Sequence, residues 1–156
     1  MRLLTIATLW LSAFTAVAQN PDKQQQSFVD ALNKLVTIAP QDIWCDGELM
    51  KLDAPFKLDG DLLTVTWACS IDDRWSKTRL TAPISKIRSV EWDLYLLLVF
   101  DQRDAVQIHQ STSDNPEWQL TEQTNLLHIA PLSEENKKQM KAKKEIEKAF
   151  DGMNNL

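Results

Sequence analysis

Glycine is nearly missing from this sequence: three occur in 156 residues, at positions 47, 60 and 152. A loop that wraps a phosphate with backbone N–H groups needs a glycine-rich run, and none can be built here. No Gly-x-Ser-x-Gly elbow occurs either. Histidine is as scarce. His109 and His128 are the only two, without a His-x-x-x-His spacing or a neighbouring cysteine, so the pattern offers no zinc site. A calcium loop needs oxygen donors at set spacing and a late glutamate. Asp59-Gly60-Asp61 and Asp72-Asp73 lack that pattern and read as hairpin turns, where Asp and Gly are favoured. The expectation is no metal, no cofactor and no catalytic motif. Basic charge is also short, 17 Lys+Arg against 22 Asp+Glu for a net charge of -5, which argues against nucleic acid as a partner.

Long apolar runs are confined to the start. "MRLLTIATLWLSAFTAVAQN" places Arg2 ahead of an apolar stretch from Leu3 to Val17, followed by the small residues Ala16-Val17-Ala18. Charge, apolar helix and small-x-small in that order predict a secretory signal peptide over 1–18. The run is shorter than the ~20 residues of a membrane span, and no cysteine follows to carry a lipid. The expected product is a periplasmic or secreted protein, residues 19–156, folded as one domain. In an oxidising compartment Cys45 and Cys69 are expected to form a disulfide. It would close a loop of about 25 residues, worth roughly 3–4 kcal/mol by the chain-entropy argument.

The spacing predicts a helix over 20–39, with Asn20 and Pro21 at its start, Pro40 at its end, and Phe28, Ala31, Leu32, Leu35, Val36 and Ala39 on one stripe. From 45 to 130 the pattern is β, punctuated by turn residues. In "LLTVTWACS", Leu63, Val65, Trp67 and Cys69 face inward, opposite Thr64, Thr66 and Ser70. "RWSKTRLTAP" reads as a polar strand near an edge. Val90, Trp92, Leu94, Leu96, Leu98 and Phe100 share one parity, which makes "WDLYLLLVF" a core strand, with a turn near Asp93 able to split it. "AVQIHQ" turns Val106 and Ile108 inward and Gln107 and His109 outward. "STSDNPEW" reads as a polar loop, and "NLLHIAP" as a last short strand. A closing helix over 133–152 is expected to be capped by Ser133, with Ala142, Ile146, Ala149, Phe150 and Met153 as its apolar stripe and Lys137, Lys138, Lys141, Lys144 and Lys148 opposite. The predicted class is α+β: a mainly antiparallel β barrel or two-sheet sandwich of about seven strands between two helices, the second capping it.

"LTAPISKIRSVEW", an apolar strand, a hairpin and a final helix ending "IEKAFDGM" together resemble the pleckstrin-homology-like (GRAM-like) superfold over roughly residues 48–153. The resemblance implies two near-orthogonal sheets with a C-terminal helix over one opening. Familiar members bind phosphoinositides or peptides in the cytoplasm. This chain departs from them by its export signal and by lacking a basic loop between the first strands, so phosphoinositide binding is not carried over. The competing architecture is a helix packed on a curved antiparallel sheet, as in cystatin-like folds.

Five tryptophans follow the signal segment. Trp67 and Trp92 have core parity, whereas Trp75, after "DDR", and Trp118, in "NPEWQ", lie in polar settings. Exposed tryptophan marks binding hot spots and sugar-stacking surfaces. The sequence therefore points to an exported, non-catalytic binding domain for a protein or small ligand, with Trp75, Trp118 and Arg74 as the candidate contact residues. One alternative is a small inhibitor or immunity-type protein using acidic loops; another is a hydrolase drawing on His109, His128 and the Asp pairs.

Overall fold

The structure is a computed structural model that describes residues 23–39, 44–45 and 48–154. The signal segment, the helix-start residues Asn20 to Asp22, Pro40 and the Asp46-Gly47 turn lie outside the described residues, as do the side chains of Trp44 and Cys45. Helix α1 spans Lys23–Ile38 and helix α2 spans Lys137–Asn154. Between them come β1 (Trp44–Cys45), β2 (Glu48–Leu49), β3 (Lys51–Asp59), β4 (Leu62–Ile71), β5 (Arg74–Pro83), β6 (Ile87–Asp93), β7 (Tyr95–Phe100), β8 (Val106–Thr112), β9 (Gln119–Thr124) and β10 (Leu126–Pro131).

Apart from the small β1–β2 pair, the strands form two antiparallel sheets, ordered β3-β4-β5-β8-β9 and β10-β7-β6. These do not close into a barrel, so of the predicted alternatives the barrel is set aside and a two-sheet α+β arrangement stands. Three chain segments pass from one sheet to the other at the same lateral positions: β5 into β6, β7 into β8, and β9 into β10. The chain is thus a meander of long passes bent where the ladders break. A 3-10 turn at Ile84–Lys86 makes the first crossing. Asp61 holds it, accepting from Ser85 N at 2.9 Å and Ser85 Oγ at 2.7 Å through its carboxylate. The Phe100 N–H donates to Asn125 O at 2.9 Å beside the third crossing.

Hairpin tips follow the expected chemistry. Gly60 (φ 58°) and Asp72 (φ 54°) take the left-handed conformation at the β3–β4 and β4–β5 turns. Leu94 (φ 57°) turns β6 into β7, and this overturns its expected inward parity: it is 75% exposed at the tip. Beyond it the parity holds, with Leu96, Leu98 and Phe100 buried, and Val99 is buried too.

Helix α1 buries its whole predicted stripe, from Phe28 to Ala39, and Val29 as well. Phe28 meets Phe150 of α2 with ring centroids 6.1 Å apart, and Phe56 meets Trp67 edge-on at 6.3 Å. The start of α2 differs from expectation. Asn136, not Ser133, is the cap, its Oδ1 accepting from Lys138 N at 3.1 Å and Gln139 N at 3.3 Å. Ser133 to Asn136 form a turn, closed by Asn136 N to Ser133 O at 3.0 Å. The buried Gln139 in the helix's first turn accepts from Ser133 N at 2.9 Å. Asn and Ser cap comparably well, so the position of Gln139 decides between them.

A polar contact through Asn33 joins α1 to the sheet. The β3–β4 ladder breaks between Ala54 and Lys57, around Pro55, and leaves Phe56 unpaired there. Asn33 of α1 supplies both missing partners: its Nδ2 donates to Phe56 O at 2.8 Å and its Oδ1 accepts from Phe56 N at 2.7 Å. Replacing Asn33 by Leu is expected to lower stability by about 1–3 kcal/mol, read by urea denaturation, because both backbone groups then lose their partners. Thr37→Val, whose hydroxyl bonds only its own helix, is expected to stay within about 0.5 kcal/mol.

Candidate functional site

The β4–β5 register is unbroken from Leu62↔Pro83 to Ile71↔Arg74. Leu63, Val65, Trp67 and Cys69 join the core beneath the helices. The same alternation sends Thr64 and Thr66 of β4, and Lys77, Arg79 and Thr81 of β5, to the other face. β8 extends that face, since Thr81 pairs with Gln107 and Arg79 with His109. β3 adds Asp53 and Lys57. Together these residues and Trp118 line an open groove of about 440 Å³.

The β8–β9 loop brings Trp118 there. Ser111, buried on β8 one alternation along from His109, donates its Oγ to Pro116 O at 2.8 Å. Thr112 N donates to Asn115 O at 2.9 Å, and Ser113 N to Trp75 O at 3.0 Å. The loop thereby folds back across the sheet, and the Trp118 ring lies 4.2 Å from the Arg79 guanidinium carbon. A stacked pair of this kind contributes about 0.5–2 kcal/mol, more as water is excluded.

The groove's charges are unevenly satisfied. Lys77 Nζ pairs with Asp53 Oδ2 at 2.9 Å, a half-exposed contact of about 0–1 kcal/mol. Arg79 makes no ion pair among the described residues, and its Nε is buried without a hydrogen-bond partner. His109 Nδ1 is likewise buried and unpartnered. Burial, and then the nearby Arg79 charge, hold the His109 pKa below its ordinary 6.5. The ring is therefore mostly neutral at pH 7, and no carboxylate among the described residues is hydrogen-bonded to it.

Of the residues singled out from sequence, Trp118 lines this groove. Trp75 borders an adjoining cleft with Leu49, Lys51, Leu52, Ala68 and Ser70, and Asp53 belongs to both concavities. Arg74 is exposed at the β4–β5 turn and lines neither; its carbonyl accepts from Ser70 Oγ at 3.4 Å. The arginine beneath tryptophan is Arg79. β5 is also a central strand of its sheet, not the edge strand its charge suggested. Its Lys77 and Arg79 are absorbed by Asp53 and Trp118 rather than by solvent. The other histidine, His128, lies in the other sheet, edge-on to Tyr95 with centroids 5.6 Å apart. Asp61 is committed to Ser85, and Asp72-Asp73 form a hairpin tip. No group of three or more His, Cys, Asp or Glu suited to a metal ion occurs among the described residues. No described helix is long and apolar enough to cross a membrane.

By NMR titration, His109 is expected to show a midpoint below 6.5, and Arg79→Gln is expected to raise it by removing the neighbouring charge. A depressed histidine pKa means that the unfolded chain takes up the proton first. This contribution to stability is therefore complete above the unfolded value of about 6.5 and is lost as pH falls toward the folded midpoint. A His109 midpoint at or above 6.5 would contradict the enclosure of its Nδ1 beside Arg79.

Comparison with known proteins finds no matching family model, no matching curated protein and no matching solved structure. The geometry of this groove alone carries the functional reading.

Proposed function

We propose that this chain is an exported, non-catalytic binding domain whose ligand occupies the groove on the polar face of the five-stranded sheet. The observation that carries the reading is the pair of buried, unpartnered polar atoms, Arg79 Nε and His109 Nδ1, on residues that face each other across one register position. An unmet buried donor or acceptor costs about 1–3 kcal/mol, which is recovered when ligand entry shifts the covering side chains and admits a partner atom. Trp118 supplies an aromatic wall over Arg79, and the adjoining cleft extends the surface toward Trp75. Export rests on the N-terminal signal pattern and places the protein in the periplasm or outside the cell.

A disulfide between Cys45 and Cys69 belongs to the same proposal. Cys69 is buried and is not a free thiol. The β1–β2 pair that carries Cys45 lies against β4, which carries Cys69. A bridge there would tie the segment after α1 to the sheet beside the Trp75 cleft. A second reading, a protein that blocks a basic partner, is favoured by the exposed Asp72-Asp73 tip and the net charge of -5.

Native mass spectrometry of protein recovered from its own compartment tests the first reading. A retained small ligand is expected, lost from Trp118→Ala and kept by Asp72→Asn. A bound protein that Asp72→Asn releases and Trp118→Ala retains would establish the inhibitor reading instead. In the same sample, alkylation without reductant is expected to modify neither cysteine, and alkylation after reduction both.

A further inference from the structure

The groove also specifies what kind of ligand it takes, an inference that rests on the reading just given. We propose that it binds a carboxylate carried on a hydroxylated body, the chemistry of a sugar acid, with the carboxylate seated on the Nε edge of Arg79 beside His109.

The charges on the lining set the sign. Lys77 is neutralised by Asp53 at 2.9 Å, whereas Arg79 has no acidic partner among the described residues. It is a cation prepared for an anion that the described fold does not provide. A guanidinium presents Nε and an adjacent Nη as two parallel donors, which match the two oxygens of one carboxylate. The Nε has no acceptor and is enclosed by protein atoms, so the ligand takes that edge as the covering side chains shift. Trp118, stacked 4.2 Å from the guanidinium carbon, holds the plane of the fork.

The acids set the magnitude. Asp53 and Asp59 also line the groove. Against them stand Lys57, Lys77 and Arg79, so the lining carries one net positive charge, which a single carboxylate balances and a phosphate monoester with close to two charges exceeds. The other polar side chains of the lining include uncharged ones. Thr64, Thr66 and Thr81 offer hydroxyls that donate or accept, and Gln107 offers an amide that does both. Such groups suit ligand hydroxyls and would be wasted on a hydrocarbon tail. A neutral His109, with Nδ1 buried and unpartnered, can donate to the carboxylate or pair with a hydroxyl. The volume, about 440 Å³, is that of a small-molecule site.

The test titrates the mature chain with D-glucuronate by calorimetry at pH 7, with D-glucose and glucose 6-phosphate in parallel. Glucuronate is expected to bind saturably, with each of the other two weaker by about tenfold or more. Arg79→Lys keeps the charge but loses the fork, and is expected to weaken glucuronate about tenfold; His109→Phe is expected to weaken it less. Should Arg79→Lys lose its fold by circular dichroism, His109→Phe decides. Lys148→Ala, on the far helix, is expected to change nothing. Equal affinity for glucose, tighter binding of the phosphate, indifference to both groove variants, or no binding of glucuronate would each overturn the proposal. A native ligand that Trp118→Ala releases, alongside absent glucuronate binding, would sink this inference and leave the binding-domain reading standing. A native complex insensitive to Trp118→Ala would remove both.

Discussion

Two ten-residue strands held in one unbroken register decide where everything else in this protein lies. β4 and β5 pair from Leu62↔Pro83 to Ile71↔Arg74 without a bulge. Because side chains alternate, a slip of one residue would carry Trp67 to solvent and Arg79 into the core. The burial of Leu63, Val65 and Trp67 under the helices opposes that slip: each is almost fully inaccessible to water, and exposing a side chain of this size costs about 1.5–3 kcal/mol. The polar face is thus fixed by the apolar one. Lys77, Arg79 and Thr81 point away from the core because Leu80 and Ala82 point into it.

The covered and uncovered faces of the sheet then acquire different work. On one side, α1 and α2 pack against each other and against the strands, with Phe28, Phe150, Phe56 and Trp67 making aromatic contacts. Asn33 restores the two backbone bonds lost at the β3 irregularity, so the helix is positioned by a directional contact as well as by burial. On the other side neither of the two described helices packs. A single loop, tied by the Ser111 hydroxyl to Pro116 O, lays one indole across the centre of the face. This arrangement seals a guanidinium edge and an imidazole nitrogen away from water and gives neither a partner. Buried polar groups are nearly always paired in folded proteins, so two such atoms in register within one groove point to a missing third party.

Much of this was legible in the sequence, and the failures have physical causes. The parity of Leu63, Val65, Trp67 and Cys69, and the outward placement of Gln107 and His109, follow from local alternation alone and hold in the structure. Leu94 was misplaced because a one-residue reversal needs only a left-handed backbone, which leucine adopts here without any glycine or asparagine to announce it. β9 left no trace in the pattern, since a polar edge strand exposed from Gln119 to Gln123 shows no apolar alternation. The charges of β5 suggested an edge, yet its neighbours on both sides are strands. Trp118 was singled out as a candidate contact residue, but the arginine beneath it was not. Arg79 lies 39 positions earlier in the chain and reaches the indole only through the β5–β8 pairing and the fold-back of the loop. Pairing of that range follows from topology, which local periodicity does not encode.

A crystal structure of the protein recovered with its native ligand is the most direct test of whether this polar face is the binding surface. Ligand density is predicted against the indole-covered guanidinium, with acceptor atoms within about 3.2 Å of Arg79 Nε. Ligand or partner bound elsewhere, with Arg79 Nε and His109 Nδ1 hydrogen-bonded to protein atoms, would contradict the account.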